Sequence, residues 1–302
     1  MNLIPRNPIP SQPQTTRTPE VPMASLDTLW LQIGGTFCNL ACTHCFISCH
    51  PQNFNIPMMT LAEVKRYLEE SKTLGVKDYY ITGGEVFLNE EIFEILEAIL
   101  QYGPCNILTN GLLLTPKRVE RLVAIREKAR HRMLFRVSLD SLDEKENDAI
   151  RGEHSFRLAL VGIRNLAKAG FSTHLTMVRG WDDEEDPVWE ARALDFLREN
   201  KVPEPAVKFL PGFLMGELAE TGRPYHENER VTEQCFTNWP ITNLQCATSR
   251  MVTSQGVYVC PILVEENEGR MGQTIEESLR PYPLKHSACY TCRISGMSCK
   301  SD

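Results

Sequence analysis

The chain lacks any uninterrupted apolar run near the roughly 18–20 residues that a membrane-spanning helix needs. It also lacks the short apolar core of a secretory signal, since residues 1–22 carry six prolines and no such stretch. Positive charge is in deficit. The net charge of −7 leaves no global basic field of the kind that binds nucleic acid. These absences give cytoplasm as the expected compartment and exclude a membrane partner. They also bear on the eleven cysteines, which without export read as metal ligands rather than disulfides. Residues 1–25, rich in proline and polar side chains, read as a disordered tail. The 302 residues otherwise suffice for one large domain and a small appendage.

The densest chemical signal is Cys38-Asn-Leu-Ala-Cys42-Thr-His-Cys45. Cysteine thiolates are the natural ligands of a four-iron, four-sulfur cube. Three of them leave one iron without a protein ligand, and an open metal position is where substrate chemistry can occur. Two plainer readings stand beside this one. A zinc site built on Cys42 and Cys45 needs two more ligands, and His44 between them strains so short a loop. Three unrelated buried thiols are the other.

From Trp30 to about Leu210, short apolar strands alternate with amphipathic helices, the pattern of βαβ units and a parallel sheet. Strands are predicted near Trp30, Tyr79, Asn106, Leu134, Thr173 and Val207. Thr60-x-x-Glu63 reads as a capping box, with Val64 and Leu68 at helical spacing and a stop near Gly75. Asn89 reads as a cap for the helix carrying Ile92, Ile95, Leu96 and Ile99. Thr115-Pro116 and Asp186-Pro187 each read as a cap followed by proline in the first turn. In Leu134-Phe-Arg-Val-Ser-Leu-Asp140, alternation places Phe135, Val137 and Leu139 on one face and Arg136, Ser138 and Asp140 on the other. Tyr80 with Thr82, His174 with Thr176, and Gln32 and Lys208 follow the same rule. A parallel sheet packed on both faces reads as continuous apolar residues, so a polar face implies a lumen that holds a polar ligand.

These residues resemble the radical S-adenosylmethionine (SAM) superfamily. Its signature is Cys-x3-Cys-x2-Cys in a loop after the first strand, here Trp30-Leu31-Gln32-Ile33 followed by Gly34-Gly35. His44 stands where that family often has an aromatic residue. Gly83-Gly84-Glu85, after the second strand, matches the family's glycine-glycine-glutamate motif, with Val86 in place of the usual proline. The resemblance implies an α/β fold, a partial (β/α)6 TIM-like barrel, since a full eight-unit barrel needs about 250 residues. It implies a [4Fe-4S] cluster on Cys38, Cys42 and Cys45, with SAM chelated at the open iron. Gly83, Gly84 and Glu85 would then hold the methionine amino group. Ser138, in a familial serine-leucine-aspartate run, would face the ribose, and Asp140, which ends that run, would be among the cofactor-binding residues. Arg151, in an arginine-glycine pair, would take the methionine carboxylate, for which its fork is suited. Asn110, in Thr109-Asn110-Gly111, and Thr176 would line the site. Reductive cleavage of SAM would yield a 5′-deoxyadenosyl radical that abstracts hydrogen from substrate. Flavodoxin or ferredoxin would be the electron donor.

After about residue 216, helical periodicity fades and cysteines gather at 235, 246, 260, 289, 292 and 299. Cys246 and Cys260 flank a predicted hairpin around Gln255-Gly256, and Cys289-x-x-Cys292 is a ligand pair. The segment resembles the twitch or shortened SPASM extensions of radical SAM enzymes. That likeness implies an auxiliary [4Fe-4S] cluster on Cys246, Cys260, Cys289 and Cys292, with Cys235 or Cys299 as substitutes. Zinc is the rival ligand there. Cys49 and Cys105 read as reduced, buried thiols. The expected organisation is a tail over 1–25, a barrel over 26–215 and a cysteine-rich extension over 216–302. A short polar tail suits no leader-peptide domain, so the expected substrate is a small molecule or cofactor precursor, with a peptide as the alternative. A non-catalytic metal-binding interaction protein is the reading from another class.

Overall fold

A computed structural model describes residues 17–296. Strands run β1 Glu20–Val21, β2 Thr28–Leu31, β3 Asp78–Ile81, β4 Cys105–Thr109, β5 Met133–Ser138, β6 Thr173–Val178, β7 Ala206–Leu210, β8 Ser249–Thr253, β9 Gly256–Tyr258, β10 Arg270–Gly272 and β11 Tyr282–Pro283. Helices are α1 Leu61–Ser71, α2 Ile92–Ile99, α3 Pro116–Lys128, α4 Glu144–Arg151, α5 Ser155–Lys168, α6 Asp186–Glu199, α7 Gly216–Thr221, α8 Ile275–Ser278 and α9 Ala288–Ser295. Strands β2 to β7 lie side by side in chain order and pair in parallel, each followed by helix. All six strands predicted from alternation are present. Phe135, Val137 and Leu139 enter the main core beneath the helices, as alternation requires, while Arg136 and Ser138 face a cavity on the other side.

Local signals work where predicted. Thr60 Oγ1 accepts from Glu63 N, and the Glu63 carboxylate accepts from Thr60 N, which closes the capping box of α1. Thr115 Oγ1 accepts from Arg118 N ahead of Pro116. Asn89 behaves differently. Its Oδ1 does accept from Glu91 N at the entry to α2, but its amide also donates to Ile33 O and Met59 O, tying three loops together. Asp186 is a correction. It is the first residue of α6 and makes no cap, because its carboxylate takes the Arg179 guanidinium and the Trp181 indole N–H instead.

Two features depart from the expected boundaries. Residues 17–25 are not a loose tail. Glu20–Val21 pairs antiparallel with Tyr282–Pro283, and Val21 is 1% exposed in a second core shared with Leu244, Leu263 and Cys289. Residues 1–16 lie outside the described residues. The cysteine-rich extension is also not separate from the barrel sheet. The predicted hairpin forms as β8 and β9, but β8 then joins β2 in parallel and carries the sheet on to β10. Among the described residues, no helix is long and apolar enough to cross a membrane.

Candidate functional site

The cysteine loop leaves the end of β2 and packs backbone against backbone on the Gly83-Gly84 turn after β3. Gly84 N donates to Gly35 O at 2.9 Å and Glu85 N to Phe37 O at 3.1 Å. A Cβ on Gly84 would sit 2.1 Å from Phe37 O and 2.9 Å from Cys38 Cβ. Gly83 has φ +139°, with Gly34 Cα 2.6 Å from where its Cβ would be. The glycines are therefore demanded by contact between the two loops as well as by the turn itself.

The Glu85 carboxylate is fully buried and does not line the cavity. Its Oε1 accepts from Thr109 Oγ1 at 2.7 Å and Phe87 N at 3.0 Å, and its Oε2 from Asn110 N at 2.8 Å. Burial pushes its pKa above the usual carboxylate value, against those three donors. The expected contact of this carboxylate with an ammonium group is not the geometry found, because its oxygens already accept from the protein. It links the end of β3 to the end of β4 and holds the Gly83-Gly84 turn in place.

Asp140 likewise does not line the cavity, which corrects its expected place among the cofactor-binding residues. It is fully buried just beyond β5. Its Oδ2 lies 2.5 Å from His44 Nε2 and 2.7 Å from Arg151 Nε, and its Oδ1 accepts from Val178 N at 2.9 Å. The Arg151 contact is an ion pair by distance, without the alignment of a hydrogen bond. Burial alone would raise the Asp140 pKa, but Arg151 and then His44 outweigh it and hold the carboxyl well below its ordinary value. His44 thus fastens the cysteine loop, from between two of its cysteines, to the far side of the sheet.

The remaining predicted residues meet on one surface. Cys38, Cys42, Cys45, Gly83, Gly84, Asn110, Ser138, Arg151 and Thr176 all line an open-mouthed cavity of about 1270 Å³ inside the curve of the sheet. Asn110 Nδ2 donates to Asn39 Oδ1 at 2.8 Å, within the cysteine loop. Burial pushes the Cys38 thiol up to about 12 and Cys42 to about 11, the latter against the pull of Arg151. Cys45 falls below its ordinary value, chiefly through a hydrogen bond from the Cys49 thiol, and Cys49 rises correspondingly. Cys49 N also donates to Cys45 Sγ at 3.2 Å. Metal binding must displace the protons from Cys38 and Cys42.

Sequence reasoning missed part of the lining. Trp30 on β2 and Gln32 just after it both line the cavity and are buried, and Trp30 Nε1 and Gln32 Oε1 have no hydrogen-bond partner. Buried polar atoms are nearly always satisfied, so an orphan donor and acceptor in a cavity wall call for a polar ligand or ordered water. Alternation had placed Gln32 on the polar side. Trp30 gave no such signal, because an indole counts as apolar in any pattern. Arg136, 1% exposed at the cavity wall, donates from Nε to Thr176 Oγ1 at 3.1 Å.

A second, apolar cavity of about 520 Å³ lies in the extension. Cys246, Cys260, Cys289 and Cys292 all line it. Cys235 does not, and Cys299 lies outside the described residues. None of the ten described cysteines is in a disulfide. Among the described residues, no three His, Cys, Asp or Glu side chains converge as the ligands of one ion would.

The family model of the radical SAM superfamily matches residues 33–189. Mycofactocin maturase MftC of Mycobacterium tuberculosis is 32% identical over 136 residues, 45% of this chain and 33% of that protein. The antilisterial bacteriocin subtilosin biosynthesis protein AlbA of Bacillus subtilis is 28% identical over 142 residues, 46% of this chain and 30% of that protein. This chain spans about a third of the length of these curated relatives. Among solved structures, Streptococcus suis SuiB bound to precursor peptide SuiA superposes with a TM-score of 0.63 at 18% identity, covering 86% of this chain and 66% of that one. That level of identity speaks to the fold alone. With the family model covering half of the sequence and including the cysteine loop, the chain belongs to the radical SAM superfamily.

Proposed function

We propose that this chain is a radical SAM enzyme that modifies a peptide and uses an auxiliary iron–sulfur cluster in doing so. The observation that carries the reading is the single cavity wall shared by Cys38, Cys42, Cys45, Gly83, Gly84, Asn110, Ser138, Arg151 and Thr176. Cys38, Cys42 and Cys45 would hold a [4Fe-4S] cluster with one iron open for SAM. When bound, cluster and SAM supply a carbon radical that takes a hydrogen atom from the substrate. The residues position this chemistry and keep it dry. The Glu85 bridge fixes the turn on which the cysteine loop rests, and Asp140 anchors both His44 and Arg151. Arg151, at the cavity wall, is suited to a carboxylate ligand. The orphan polar atoms of Trp30 and Gln32 supply a donor and an acceptor deeper in the lumen.

A single zinc ion needs ligands converging on one point, whereas a cube takes each thiolate on a different iron. At the first site the Cys-x3-Cys-x2-Cys spacing supports the cube. The auxiliary cluster would sit in the extension on Cys246, Cys260, Cys289 and Cys292, and with four protein thiolates its suitable task is electron transfer. The peptide substrate is supported by relatives whose names are those of a maturase and a bacteriocin biosynthesis protein. Flavodoxin or ferredoxin is proposed as electron donor.

The test is anaerobic reconstitution of the full chain followed by SAM and dithionite. The expected product is 5′-deoxyadenosine, and its absence at full iron loading would overturn the enzymatic reading of this site. Deuterium should pass to 5′-deoxyadenosine from labelled peptides encoded beside the gene. Transfer from a labelled nucleotide or sugar alcohol instead would replace the peptide with a small-molecule substrate.

A further inference from the structure

Tyr282 stands on β11 and reaches into the second cavity beside the four cysteines. It is 4% exposed, and its hydroxyl has no hydrogen-bond partner. A buried hydroxyl left unsatisfied loses its hydrogen bond to water with nothing in return. The cavity offers it little but carbon and sulfur, since the rest of the wall is largely leucine, isoleucine, valine and alanine. An unpaired phenol is out of place in such a wall unless the cavity's ligand accepts a hydrogen bond.

The charge beneath the cavity points the same way. Arg250 on β8 is 1% exposed, and its guanidinium donates only to main-chain oxygens: Ser278 O at 2.9 Å, Cys246 O at 2.7 Å, Ser249 O at 2.7 Å and Arg280 O at 3.0 Å. Among the described residues no carboxylate pairs with it. A buried cation without a counter-charge is costly, and the guanidinium sits on the main chain of Cys246, whose thiolate would supply one as a cluster ligand.

From this geometry we infer that Tyr282 donates its hydroxyl hydrogen bond to a sulfur of the auxiliary cluster, with Arg250 as the buried counter-charge, so that the pair sets the potential of that cluster. The inference rests on the cluster reading of Cys246, Cys260, Cys289 and Cys292 and adds a tuning role for residues that ligate nothing. Hydrogen bonds to cluster sulfurs raise the reduction potential, because they stabilise the added negative charge of the reduced form.

The experiment uses full-length protein carrying Cys38→Ala, Cys42→Ala and Cys45→Ala, so that only the extension can hold iron. It is reconstituted anaerobically and titrated potentiometrically with electron paramagnetic resonance detection. Adding Tyr282→Phe should leave the iron content unchanged and move the midpoint potential to a more negative value. An unchanged potential at unchanged iron overturns the inference about Tyr282 while leaving the cluster reading intact. Absence of iron from the triple variant, or zinc in its place, overturns the cluster reading and this inference with it. Should Tyr282→Phe itself fail to take up iron, the triple variant is produced with 3-fluorotyrosine. That replacement keeps the ring's shape and strengthens its O–H as a donor. The potential should then move in the positive direction, and an unmoved potential again overturns the role of Tyr282.

Discussion

At the scale of single residues, the carboxylates Glu85 and Asp140 act as braces. Glu85→Ala removes the acceptor of three donors, each costing about 1–3 kcal/mol if left unsatisfied. The expected result is a lower thermal midpoint together with reduced iron uptake at the first site, measured on the same preparation. Glu85→Gln, which keeps an acceptor oxygen, should recover part of both. Gly84→Ala should push the cysteine loop off its seat, since the new methyl group meets Phe37 O at 2.1 Å, and 5′-deoxyadenosine formation should drop at least tenfold. Asp140 makes a pH prediction. Folding lowers its pKa from the ordinary value near 3.9, so the unfolded chain takes up the proton first on acidification. The stabilisation is therefore fully present above about pH 4 and is lost as pH falls toward the folded value. Asp140→Asn should flatten the dependence of unfolding free energy on pH between about 5 and 2. It should also cost about 3–5 kcal/mol at neutral pH by leaving Arg151 buried without its partner. An equally steep acid limb in the variant would show that other carboxylates carry it.

At the scale of elements, capping and alternation were legible where the information is local. Thr60 and Glu63 satisfy each other's backbone donors within one turn, and Thr60→Ala should cost about 1 kcal/mol in denaturant unfolding without touching either cavity. Strand β5 is legible for the same reason. The pleat alone sends Phe135 and Val137 to the helices and Arg136 and Ser138 to the lumen. Asp186 shows where local reading ends. The residue has the chemistry of a cap, but Arg179 and Trp181 compete for its carboxylate, and only the path of the loop after β6 decides that competition. Strand β1 is the opposite error. Two residues between prolines carry no strand signal of their own, and the pairing exists because Tyr282–Pro283 presents an edge to them.

At the scale of the whole molecule, the strands of the barrel and of the extension form one continuous sheet, joined by the parallel pairing of β8 with β2. The segment ahead of the barrel closes the second core rather than the first, since Val21 packs with Leu244, Leu263 and Cys289. Val21→Asp should therefore destabilise the extension by about 2–4 kcal/mol. It should lower iron content at the second cysteine group while the iron on Cys38, Cys42 and Cys45 is retained. Paired metal analysis of Val21→Asp alone and on the triple-alanine background separates the two. Equal loss from both sites would mean that the molecule unfolds as one unit.

The amino-acid sequence by itself determined the cysteine spacing, the order of strands and helices and, in β5, the faces of Phe135, Arg136, Val137 and Ser138, because these follow from covalent neighbours and from the periods of pleat and helix. It also carried the likeness to the radical SAM superfamily. Only the tertiary structure decided which carboxylates touch the cavity and which brace it, that four distant cysteines and Tyr282 share one apolar wall, and that the residues just before the barrel pair with a strand near the other end of the chain. Those outcomes depend on which groups meet across long stretches of sequence and on who satisfies each buried donor, and no local pattern encodes either.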